Sequence, residues 1–356
     1  MNKLTLYLGK SIIVAILLVL MLLVGLEFIF SLVNELRHVG TGDYNLNMAI
    51  TFILFSLPST IAQLFPMAAL VGTLLGLSIL ASRSELIVMR ASGWGMGDII
   101  FAVMKLAVVL IFFAWILGEW VAPTTDRFAH HQKALSLSEG KALRTAHGTW
   151  MKDGDNFVHI QSIDAKGHLE GITRYEFDNS QVLKKSSFAQ YGDYEQNKWV
   201  LHQINETIFE KDKISNNHVN KEHWVSHIDP NILNIVGVKN LDELSLVGLW
   251  QTIRYRKGNE LDARPYQLAF WQKCLRPLAT CVMMFLAIPF IFGPLRSATM
   301  GFRMLIGVFV GFAFFTIHEL FGPLTLVYQM PPILGACLPT LLFFAIGMGL
   351  LKKTAV

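Results

Sequence analysis

The chain has 356 residues, of which 53% are hydrophobic and 16% charged, with a formal net charge of +4 at pH 7, and its mean hydropathy is +0.45. A soluble protein has too little interior to hide that much apolar surface, so the composition excludes a soluble enzyme or binding domain and points to a polytopic membrane protein. The basic residues form no stripe interleaved with aromatics, which excludes nucleic acid as a partner and leaves membrane lipids as the surroundings.

Lys3 and Lys10 precede an apolar run, Ser11 to Phe30. It has about the ~20 residues a span needs and no clean small-x-small cleavage site after it, so it reads as a retained first span. The second span lies inside Ala49 to Leu80, where Pro58 and Pro66 are expected to separate an interfacial stretch from the crossing itself. Next comes "LASRSELIVMRASGWG". Ser82 and Glu85 have capping-box spacing, Gly93 and Gly95 suit a helix end, and a compact helix over 82–93 follows. Leu86, Ile87, Met89 and Ala91 offer it apolar surface, Glu85 and Arg90 charge. A turn needs no such face. On pattern alone the helix either docks on a protein or rests on lipid headgroups, and the acidic Glu85 favours a protein.

The third span is Ile99 to Val121. From residue 123 to 264 the pattern changes to short Val/Ile/Phe/Tyr/Trp runs cut by "KDGDN", "DAKG", "DNSQ" and "EQNK", the spacing of an all-β sandwich or barrel. Residues 265–356 carry the remaining spans, Leu268–Phe292, Met304–Leu320 and Leu334–Leu351. Lys3, Lys10, Arg83, Arg90, Arg296, Arg303, Lys352 and Lys353 fall on one side and almost no short-loop charge falls on the other, so both termini face the cytoplasm and the β domain lies across the membrane. The fold expected is six transmembrane helices with an all-β domain inserted between the third and fourth. Cys274, Cys281 and Cys337 all lie in apolar runs, so the β domain is no disulfide scaffold.

The strings "RSELIVMRASG", "GEWVAP", "FGPLRS" and "FGPLTLVYQMPP" resemble the LptF/LptG family of lipopolysaccharide export permeases, along nearly the whole chain. The last two favour its LptG branch. The resemblance implies a permease half of an ABC transporter in the bacterial inner membrane, with a periplasmic β-jellyroll. Its implied partners are a second, LptF-like permease, an LptB-like ATPase dimer, an LptC-like bridge protein and lipopolysaccharide. The loop helix would be the coupling helix that docks on the ATPase through Glu85, Leu86, Met89 and Arg90.

No nucleotide site is legible in this chain. "GKS" at Gly9–Ser11 lacks the earlier glycine of a P-loop, because residue 4 is Leu. The chain is therefore read as non-catalytic and free of cofactors, with ATP and Mg2+ expected in the partner ATPase. No metal constellation is read either: His130 and His131 are adjacent, and His218, His223 and His227 have the character of exposed β-domain histidines.

Family members contact substrate phosphates with lysines past the first span and arginines past the third. Arg37 and His38 occupy the first place here, His130 and Lys133 the second, while Ser31 stands where a lysine is common. Arg37 and Lys133 read as phosphate-gripping; for His38 and His130 an ordinary surface role stands beside that reading. Glu27, Glu119, Lys273, Arg276 and Glu319 put both signs of charge near the outer ends of spans, either as anchors and salt bridges or as a grip for anionic headgroups. Gly72/Gly76 and Gly307/Gly311 permit close helix approach, within the chain or at a moving interface. Two other classes stay open. A secondary transporter would place its ionisable groups near the midplane, and a scaffold would only display the β domain.

Overall fold

The computed structural model describes residues 3–137, 144–154, 156–163, 168–178, 180, 182–195, 198–210, 213–224, 226, 228, 241, 244–292 and 298–354. These fall into two compact units: residues 1–37, 53–129 and 267–356, and residues 38–52 and 130–266.

The first unit is helical. Its elements are α1 (Lys3–Glu35), α2 (Leu46–Ser82) from residue 53 on, α3 (Glu85–Ala91), α4 (Met96–Ile116), a π turn (Leu117–Val121) leading into α5 (Ala122–Leu137), of which residues up to 129 belong here, α7 (Arg264–Phe292) from residue 267 on, α8 (Met300–Val327) and α9 (Pro332–Thr354). Among the described residues, six helical runs are long and apolar enough to cross a membrane. The chain is a multi-pass membrane protein.

Two expectations about the spans are corrected. Pro58 and Pro66 both lie inside the continuous α2. Each proline removes one backbone donor, but packing holds the helix through them, since 78% of α2's most apolar stretch is buried. The fifth span runs on to Val327 with Pro323 inside it, so the uncharged loop shrinks to the few residues before α9.

Glycine sets how closely the helices approach. A Cβ on Gly72 would stand 2.5 Å from the Ile16 Cα, and one on Gly76 would stand 2.9 Å from the Ile12 Cα. α1 and α2 therefore meet backbone to backbone. Gly307 and Gly311 face Leu74 and Met67 of α2. The second glycine pair packs against α2 within the chain.

The second unit contains six antiparallel strands in one sheet, β1 (Arg144–Asp153), β2 (Asn156–Ile163), β3 (Leu169–Phe177), β4 (Leu183–Glu195), β5 (Lys198–Phe209) and β6 (Ile214–Trp224), in sequential order. Short connections explain that order, since a tight turn makes its flanking strands neighbours. Asp178 builds one of them, accepting the Ser180 and Val182 N–H groups at 2.9 Å each. Those bonds hold its carboxyl below the usual range, the Val182 bond foremost. Among the described strands the sheet is a meander, without the crossovers that a jellyroll order would show. "DAKG" lies outside the described residues.

One face of the sheet carries Met151, Val158, Ile160, Leu169, Ile172, Trp199 and Leu201, packed with Tyr255 of α6 (Leu246–Gly258). Its buried polar atoms find partners. The Trp199 Nε1–H donates to the Ile228 carbonyl at 2.7 Å, and the Tyr255 hydroxyl donates to that of Lys152 at 2.7 Å. Burial pushes the Tyr255 phenol up to about 12.

Candidate functional site

The loop helix forms, but not by the expected capping box. Ser82 is the last residue of α2, and its hydroxyl donates back to the Ile79 carbonyl at 2.8 Å. The N-cap is Ser84, at φ 59° and without a side-chain cap bond, so Glu85 stands first in the helix rather than third. Its carboxylate instead accepts the Tyr7 hydroxyl at 2.9 Å, tying α3 to the start of α1. Of the two glycines expected to end it, Gly93 does so, while Gly95 is the N-cap of α4. Gly93 has φ +97°, its N–H donates to the Arg90 carbonyl and the Trp94 N–H donates to that of Met89, each at 3.1 Å. This pair of bonds is a Schellman motif, which needs the left-handed residue that glycine supplies.

The faces of α3 divide in a way the sequence did not reveal. Leu86 and Met89 are buried in the same core as Leu8, Ile12 and Ile99. They anchor the helix. Ile87, Val88, Arg90 and Ala91 are the exposed ones, and Glu85 lies between. Three helical elements thus meet beneath a small outward face that is mostly apolar, with Arg90 as its exposed charge. "GKS" lies wholly inside α1.

Of the candidate cations past the first and third spans, one falls in the helical unit and three in the sheet unit. Arg37, exposed in the short 3-10 turn Leu36–His38, closes the first segment of the helical unit. His38, His130 and Lys133 belong to the sheet unit. The His38 carbonyl accepts the Thr41 hydroxyl, while its residue stays exposed. His130 and Lys133 are one turn apart on α5 and share a ring: the His130 imidazole meets Phe52 edge-on at 5.1 Å, and the Lys133 ammonium lies 4.6 Å from the same ring and 5.9 Å from Tyr44. The aromatic faces hold the ammonium by cation–π attraction. The backbone closes this corner too, with the Asp43 N–H donating to the Ser136 carbonyl at 2.9 Å. Glu27 makes a local contact, accepting the Ser31 hydroxyl at 3.4 Å. The His218 ring pairs with the Asn205 side chain at 2.8 Å, and His227 lies outside the described residues.

One feature had almost no signal in the sequence. At the π turn the Ala122 N–H reaches back five residues to the Leu117 carbonyl. Pro123 follows and has no N–H with which to resume the ordinary ladder at once. That proline, inside "GEWVAP", was the only hint. The turn brings Glu119 to 3.6 Å from the Lys273 ammonium of α7, beside a cavity.

Comparison with known proteins agrees with this architecture. The model of the family described as lipopolysaccharide export system permease LptF/LptG matches residues 6–353. The chain is 40% identical over 350 residues to the lipopolysaccharide export system permease protein LptG of Escherichia coli (strain K12), covering 98% of this chain and 97% of that one. It is also 40% identical over 355 residues to the protein of the same name from Haemophilus influenzae, covering 99% of each. Similarity to LptF of Escherichia coli (strain K12) is weaker, at 27% over 164 residues and 44% of each chain.

Proposed function

From the premise that the chain belongs to the LptF/LptG family of lipopolysaccharide export system permeases, we propose that it is one half of a transporter that extracts lipopolysaccharide from the outer leaflet of the bacterial inner membrane. The other half is an LptF-like permease. An LptB-like ATPase dimer supplies ATP and Mg2+ chemistry on the cytoplasmic side, where both termini lie. The β domain is periplasmic and passes the lipid to an LptC-like bridge protein. Lys133 and His130 grip lipid phosphates, and Arg37 and His38 are further candidates on the family's pattern.

The observation that carries the reading is the seating of α3. Its outward face, Ile87, Val88 and Arg90, is free for a partner's groove, while Leu86 and Met89 are set in the core shared with α1 and α4. Packed interiors transmit displacement because they have little room to absorb it. A partner that pushes α3 therefore moves the cytoplasmic end of α1, and the Tyr7–Glu85 bond makes that end follow.

Glu85→Arg in the purified, reconstituted complex tests this. Reversing the charge at the contact should lower ATP-driven lipopolysaccharide release by about tenfold or more. Unchanged ATPase binding and unchanged release would remove the coupling role. For the substrate site, photocrosslinkers are placed at 37 and 133 of the intact complex in membranes: the absence of a lipopolysaccharide adduct at both would exclude both cations.

A further inference from the structure

The cavity beside the π turn leaves about 40 Å³ open to a water-sized body and is lined by Phe65, Trp115, Gly118, Glu119, Lys273 and Arg276, among others. Every lining residue belongs to the helical unit. That space would hold roughly three waters or one phosphate group, and no acyl chain. Its walls are mostly apolar, with Thr280 and three ionisable groups among them.

We infer that this cavity binds the phosphate of one anionic glycerophospholipid, held as a resident of the permease and distinct from the cargo. Two of the three charged lining residues, Lys273 and Arg276, are cations. The Glu119 and Lys273 side chains are only 8% and 11% exposed. Their 3.6 Å separation is longer than the ~2.7–2.9 Å of a tight charge-assisted bond. A lysine has three donors and an arginine five, so both can serve a protein partner and a ligand oxygen together. The guanidinium fork suits two phosphate oxygens.

Stability does not account for the arrangement. A buried ion pair is often no better than an apolar pair of the same volume, and a π turn gives up regular helix bonding and occurs most often where a site needs it. Here the turn places Glu119 and the bare Gly118 backbone in the cavity wall, with Gly118 so close to α2 that a Cβ would stand 3.2 Å from that of Ala62. The approach is lipid-like as well. Trp115, in the wall, is 42% exposed, and Phe112, one turn before it on α4, is exposed too. Tryptophan favours the headgroup level of a bilayer. Acyl chains can remain in the bilayer along α4 while the headgroup enters.

The test is lipid retention, which does not depend on the transport reading because transport is not its readout. The full chain is reconstituted in nanodiscs of phosphatidylcholine with a minority of phosphatidylglycerol, released, and weighed by native mass spectrometry. One phosphatidylglycerol should stay bound per chain, well above its share of the bilayer. Arg276→Gln should lower its retention by about tenfold, the value of one charge-assisted phosphate contact. Glu119→Gln with Lys273→Gln strands no charge, should lower retention less, and keeps the test readable if the arginine variant misfolds. Retention at the bilayer share, equal retention of phosphatidylethanolamine in parallel discs, displacement by inorganic phosphate with no lipid preference, or indifference to both variants would each overturn the assignment.

Discussion

Trp199 in the sheet unit buries a large ring and still sends its indole N–H to the Ile228 carbonyl, whereas α1 and α2 in the helical unit touch at Gly72 and Gly76, where there is no side chain at all. The contrast follows from the solvent on each side. The sheet unit folds against water, so apolar burial drives it and every polar atom taken inside needs a partner. The helical unit folds within lipid as apolar as its own interior, so helices associate by shape and close approach. This is why α1 can leave Leu18, Met21, Leu22 and Phe30 exposed while α2 beside it is largely enclosed. An exposed apolar side chain is a liability in the first solvent and ordinary in the second.

Four substitutions probe that contrast. Trp199→Ala opens a cavity and deletes the bond to Ile228, and it should destabilise the sheet unit by about 3–5 kcal/mol, read as faster hydrogen exchange in β4–β6 of the full chain in detergent. Gly72→Ala puts a methyl 2.5 Å from the Ile16 backbone and should cost about 1–3 kcal/mol. That loss should appear in α1 and α2 and leave the strands unchanged. If Gly72→Ala proves silent, close approach is not what joins these helices.

Tyr255→Phe should cost about 1 kcal/mol for the lost bond to Lys152 and should also change a pH response. The phenol's pKa is raised from 10.0 to about 12 on folding. Its contribution is therefore fully present below pH 10 and is lost as pH rises from 10 towards 12. In the variant, unfolding monitored over that window should lose this part of its alkaline weakening; an unaltered alkaline limb would show that Tyr255 does not set it. The smallest effect belongs to Met21→Ala, 80% exposed on α1. It should stay within about 0.5 kcal/mol in thermal unfolding of the isolated chain. A larger loss would mean that α1's outer face is packed against something even in that chain.

The spans, the inserted strands and the loop helix were legible because each rests on local chemistry. Long apolar runs, Asp/Asn/Gly turn clusters and Gly93 carry their meaning within a few residues. The prolines of α2 misled for the same reason: a local rule says break, while the packing around the helix holds it straight through. The capping box failed because Ser82 was already committed to the preceding helix. The π turn left no periodic trace, since one extra residue in the ladder changes bonding without changing composition. At the cation cluster, spacing could nominate His130 and Lys133, but their sharing of Phe52 depends on a residue almost eighty positions away in sequence.

Alone, then, the sequence determined how many helices could cross a membrane, where the strands would lie, and that a short amphipathic helix would join the second and third spans. Hydropathy and turn preference act over a handful of neighbouring residues, and a linear string displays them. The tertiary structure alone decided which side of α3 is anchored and which is offered, that both glycine pairs serve α2, and that Glu119 meets Lys273 beside a cavity. A helix that is apolar all round looks the same whether lipid or protein surrounds it, and only the positions of its neighbours distinguish the two.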